Sequence, residues 1–114
     1  MMKYETGDVL EVPFPFVDRP VKKRRPAFLL SNQISGEGYE ILILSMITSA
    51  KRSHWEHDVA LLDWEEAGLR GPSVLRWKIF SLDASLVLGR RGSVSKKDVQ
   101  RIAETFHLVF PFFF

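Results

Sequence analysis

The sequence contains no cysteine. That removes disulfide scaffolds, thiolate zinc sites, iron–sulfur clusters and thiol nucleophiles together, and it fits a reducing compartment. Long apolar runs are missing as well, since no stretch approaches the about 20 consecutive apolar residues of a membrane span. The opening Met1-Met2-Lys3-Tyr4-Glu5-Thr6-Gly7-Asp8 carries acid and no apolar core, unlike a signal peptide. A cytoplasmic protein with no membrane partner is expected. There is no glycine-rich phosphate loop, no Gly-x-Ser-x-Gly elbow and no dinucleotide fingerprint, which sets aside most familiar enzyme classes and any nucleotide cofactor. A chain of 114 residues suits one domain, 1–114, and has surface enough for one core but not for a deep cavity, so any site should be a groove.

Charge is nearly balanced, with 16 Lys+Arg against 14 Asp+Glu, but it is unevenly placed. Five cations fall within Arg19-Pro20-Val21-Lys22-Lys23-Arg24-Arg25. A cluster that dense gives one face a positive potential whatever the global sum, as a polyanion site or as a solvated loop.

The seven glycines lie between apolar runs and read as turns. Asp8 to Phe16 is β-like, with Val12, Phe14 and Phe16 at period 2; Pro13 and Pro15 cannot donate to a ladder, so that part is an edge or leaves the sheet. Ala27 to Leu30 reads as a buried strand stopping at Ser31-Asn32, and Tyr39 to Thr48 as a central strand covered on both faces. Further strands are expected at His57 to Leu61, at Ser73 to Phe80 and, last, at Ser85 to Leu88. Asp63-Trp64-Glu65-Glu66-Ala67-Gly68 predicts one capped helical turn. Ser95 as N-cap with Asp98 at N3, followed by Val99, Ile102, Ala103, Phe106, Val109 and Phe110, predicts an amphipathic helix ending before Pro111. The fold class is therefore mainly β, a small twisted barrel with one C-terminal helix.

Carboxylates sit singly at element boundaries, which does not favour a carboxylate metal centre, and no metal site is expected. His54 and His57 would face opposite sides of a strand, and His107 would face solvent. What remains is the basic cluster leading into Arg25-Pro26-Ala27-Phe28-Leu29-Leu30-Ser31, then a long apolar strand ending in Ile47-Thr48-Ser49-Ala50-Lys51-Arg52.

These pieces, in this order, resemble the MazF/PemK family of toxin endoribonucleases. The similarity extends through the Gly7-Asp8 start, Asp63 to Leu69, Pro72 to Arg76 and Leu82 to Val87, and leaves out only the aromatic tail. The resemblance implies an SH3-like barrel, a homodimer, and metal-independent cleavage of single-stranded RNA without a cofactor. It also implies a cognate antitoxin whose peptide segment occupies the same groove, with operator DNA reached only through the antitoxin complex. Arg25 and Thr48 are carried over as the catalytic pair, with Ser49 adjoining. Lys22, Lys23, Arg24, Lys51 and Arg52 would attract RNA phosphates. Arg76 and Lys78 share one strand face and either extend the basic groove or serve solubility. Trp55 either stacks a base or covers the core edge. Two other readings use the same fold: a non-catalytic module binding RNA or antitoxin, and a gyrase-inhibiting toxin, which would act through a C-terminal tryptophan where this chain ends in phenylalanines. The tail 111–114 has no assigned role.

Overall fold

The computed structural model describes residues 3–14, 23–51 and 53–112. Six strands, β1 (Asp8–Phe14), β2 (Lys23–Ile34), β3 (Glu40–Ser49), β4 (Val59–Leu61), β5 (Ser73–Asp83) and β6 (Gly89–Ser93), form one antiparallel sheet in the order β4-β5-β3-β2-β1-β6. The sheet curls into a half-barrel, and one helix, α1 (Lys96–Val109), follows it. Residues 15–22, with Pro15, Phe16 and two of the five clustered cations, Arg19 and Lys22, lie outside the described residues.

Alternation along the strands supplies both faces with apolar side chains. Val9, Phe28, Ile47 and Leu75 pack with Leu61, Ala67, Leu69 and Ile102 in one cluster, while Leu10, Val12, Ala27, Leu29, Leu42, Leu44 and Leu82 form a second. Each fully buried aliphatic side chain stabilises by about 1.5–3 kcal/mol relative to exposure. β3 is central, paired to β2 and β5, as its near-continuous apolar run predicts. β1 is interior over Asp8 to Glu11, where β6 pairs with it, and among the described residues has only β2 beside it from Val12 onward, so Pro13 falls where no second ladder among them needs its missing N–H.

Several expectations fail. The strand expected from His57 begins only at Val59, because His57 at φ 71° is left-handed rather than extended. β2 does not stop at Ser31-Asn32, because a bulge between Leu29 and Ser31 lets the ladder to β3 continue to Ile34. Asn32 Nδ2 instead donates to the Tyr4 carbonyl at 2.6 Å and to Glu40 Oε2 at 3.2 Å, and the chain reverses at Ser35 to Tyr39. The final strand is not Ser85 to Leu88. Asp83 accepts from the Ser85 N–H at 2.9 Å and caps a single 3-10 turn, Ala84–Leu86, so the strand begins only at Gly89. Gly89 and Gly92 are thus strand residues rather than turns.

The turn expected at Asp63 to Gly68 is present, with Ala67 N–H donating to Asp63 O at 3.2 Å and Leu69 N–H to Trp64 O at 3.0 Å. It docks against β6 backbone to backbone. Gly68 has φ 76°, and a Cβ there would overlap the carbonyl of Arg91. Gly68→Ala is therefore expected to cost about 1–3 kcal/mol in urea unfolding. Gly38→Ala, also left-handed at φ 91° but facing open space, should lose less. The helix starts as predicted: Ser95 Oγ accepts from Asp98 N–H at 3.3 Å, and buried Asp98 accepts from the Asp63 N–H at 2.9 Å, tying helix to turn.

Candidate active site

The β2–β3 ladder ends at Ala27 paired with Met46. Two residues farther along each strand stand Arg25 and Thr48, so period-2 alternation sends both toward the side that Ala27 and Met46 occupy. Both line one groove of about 710 Å³, and Ser49 and Lys51 line it where the chain leaves β3. Among the described residues, the lining carries cations and hydroxyls but no carboxylate or imidazole, a set that suits an anion.

The cations of this region differ in what holds them. Arg24 and Arg91 both pair with Glu11, at 3.2 and 2.9 Å. The hydrogen bond from Arg91 outweighs the desolvation of this carboxylate and, with Arg24, holds its pKa below the ordinary value. Arg90 pairs with Asp8 at 3.0 Å and Arg101 with Asp98 at 3.2 Å. Arg25 is half-buried, and among the described residues it has no carboxylate partner.

Arg76 is the most enclosed of them. Opposite Met46, β5 carries an insertion: Ser45 faces Ile79 and Ile47 faces Leu75, which leaves Arg76, Trp77 and Lys78 across from one residue. The fully buried Ser45 hydroxyl donates to the Arg76 carbonyl at 2.5 Å in this irregular stretch. The guanidinium donates to Asp58 through Nε at 3.2 Å and Nη2 at 2.9 Å, and to the Ser53 carbonyl at 2.5 Å. The Trp55 ring lies 5.0 Å from its central carbon. Burial opposes ionisation of Asp58, but the Arg76 hydrogen bonds and the Trp55 N–H prevail and hold the carboxyl below its usual range. The same hydrogen bonds raise Arg76.

Of the residues singled out in the sequence, Arg24, Arg25, Thr48, Ser49, Lys51, Arg76 and Lys78 therefore line one groove. Lys78 Nζ also lies 5.6 Å from the Phe14 ring centroid. Lys23 stands opposite Phe14 in the β1–β2 ladder, outside the lining, and Trp55 stacks on Arg76 outside it as well. Lys22 and Arg52 lie outside the described residues. Sequence reasoning missed Arg70 and Arg91, which also line the groove, and the carboxylates Glu11 and Asp58 that position its arginines. Arg91 was hidden in a polar strand read as a turn; the signal available was its place beside Arg90 between two glycines.

The fold is an open antiparallel half-barrel with a C-terminal helix, and its groove is lined by guanidinium, ammonium and hydroxyl groups. Over residues 5–110 the chain matches the PemK-like, MazF-like toxins of type II toxin-antitoxin systems, and it belongs to that family. It is thus the toxin half of a toxin-antitoxin pair, and the match stops short of Pro111 to Phe114. No individual curated protein matches the chain significantly. Among the described residues, no helix is long and apolar enough to cross a membrane.

Proposed function

We propose that the protein is a cytoplasmic endoribonuclease toxin that cleaves single-stranded RNA without a metal ion, acting as a homodimer and held in check by its antitoxin. The observation that carries this reading is the half-buried Arg25 beside Thr48, lacking a carboxylate partner among the described residues although most neighbouring arginines have one. A guanidinium with no carboxylate partner among the described residues of its groove is set to receive an anion, and its planar fork matches a phosphate.

In the proposed reaction the ribose 2′-hydroxyl attacks the adjacent phosphorus and passes its proton to solvent water, since the described groove lining holds no carboxylate or imidazole to take it. The bond to the 5′-oxygen breaks, and that oxygen leaves as a hydroxyl after taking a proton, so the products end in a 2′,3′-cyclic phosphate and a 5′-hydroxyl. Arg25 neutralises the charge that builds on the non-bridging oxygens and hands a proton to the leaving oxygen, regaining one from solvent. Thr48 Oγ1 donates to a non-bridging oxygen, with Ser49 next to it. Lys51, Lys78 and Arg24, with Lys22, Lys23 and Arg52, supply phosphate contacts along the strand. Arg76, committed to Asp58 and Ser53, acts as a strut of the groove rather than a phosphate ligand, and Trp55 covers that strut.

The test is incubation of the purified protein with single-stranded RNA in excess EDTA. Cleavage should persist, and the new 5′ ends should accept labelled phosphate from polynucleotide kinase without prior phosphatase treatment. Loss of activity in EDTA would overturn the metal-free mechanism. Intact RNA with tight antitoxin binding would favour the non-catalytic module.

A further inference from the structure

Glu11 bridges two groove-lining arginines, Oε1 to Arg91 Nη2 at 2.9 Å and Oε2 to Arg24 Nη1 at 3.2 Å. The partners are not equivalent. Each is joined by one hydrogen bond, but Arg91 is 19% exposed, close to Glu11 at 20%, whereas Arg24 is 62% exposed and its bond is the longer. Arg91 therefore fixes the carboxylate, and Arg24 is the side chain free to change partners.

We propose that Glu11 is an internal competitor for the nucleic-acid backbone. In the free protein its carboxylate occupies Arg24, and a phosphate of an arriving strand must take that guanidinium over. Glu11 thereby weakens binding of any polyanion at Arg24 while making no pair with Arg25 next to it. Binding then discriminates by what reaches Arg25 and Thr48 rather than by charge alone. The inference rests on the groove being a nucleic-acid site but does not require turnover.

Single-stranded DNA, which has no 2′-hydroxyl and so is not cleaved by the proposed route, is the probe. Its affinity is measured between low and moderate salt for the wild type, Glu11→Gln, Arg24→Ala and the double variant, with a melting curve for each. Glu11→Gln keeps an acceptor for Arg91. It should bind about two- to fivefold more tightly at low salt, the range set by an exposed ion pair. Its log affinity against log salt should steepen by about 0.7, the increment for one more phosphate contact on a single strand. In the Arg24→Ala background the same substitution should change neither quantity. Arg24→Ala truncates a largely exposed side chain, and it should cost less affinity in the wild type than in Glu11→Gln. Unchanged affinity and slope in a folded Glu11→Gln, or an equal gain with and without Arg24, would overturn the competitor role while leaving the groove assignment intact. A wild type that binds no DNA or RNA oligonucleotide would instead overturn both.

Discussion

Arg25→Ala is expected to slow RNA cleavage by about 10²- to 10³-fold, the usual cost of removing one preorganised donor from a developing oxyanion. Arg25 has no carboxylate partner among the described residues, so its removal breaks no ion pair among them and should leave stability within about 0.5 kcal/mol of the wild type. Single-turnover rates at saturating enzyme separate this loss from weakened binding. If Arg25 acted only as one more phosphate contact, the saturated rate would be unchanged and only the salt dependence of affinity would fall. Arg25→Lys restores the charge but not the planar fork, so partial recovery is expected. Equal saturated rates for wild type and Arg25→Ala would remove Arg25 from the chemistry.

The features that were legible in the sequence are those written locally. The apolar run of β3, the Ser95 cap with Asp98 at N3 and the Asp63 to Gly68 turn all appear where their patterns lie. β6 was not legible. Gly-Arg-Arg-Gly-Ser carries no apolar residue, and its form depends on its ladder to β1 and on Gly92 fitting against the backbone of Glu66 and Ala67. An edge strand held by its neighbours needs no alternation of its own. The placement of Arg25 and Thr48 on one groove could be anticipated only from the family pattern, because neither residue type is diagnostic alone. The register shows the physical means, since both lie two residues past one β2–β3 pair. Arg76 illustrates the opposite limit. Its parity with Lys78 suggests a cation that extends the groove or serves solubility, not one that is buried in a pair, yet its partner Asp58 lies 18 residues earlier, in a loop shaped by His57 at φ 71°. No local pattern encodes that pairing.

Asp58→Ala should be the most destabilising of these substitutions, at about 3–5 kcal/mol, because it leaves a buried guanidinium without its counter-ion. The Arg76 side chain is only 10% exposed, so solvent can replace little of what the carboxylate supplies. The pair also has a pH signature. Folding lowers the Asp58 pKa, so the native state favours the ionised carboxylate. That stability is fully present above the unfolded value of about 3.9 and is lost as pH falls through the lower folded value. Asp58→Asn should therefore unfold more easily at neutral pH and show a flatter stability profile between about pH 5 and 2, measured by urea unfolding at each pH. A profile as steep as that of the wild type would assign the acid sensitivity to other carboxylates. Replacing both partners, as in Asp58→Leu with Arg76→Met, should recover most of the lost stability, since a buried pair and an apolar pair of similar volume are often close in free energy. Activity should not recover with it if the guanidinium shapes the groove wall. A stable double variant that cleaves slowly would separate the strut's contribution to the site from its contribution to the fold.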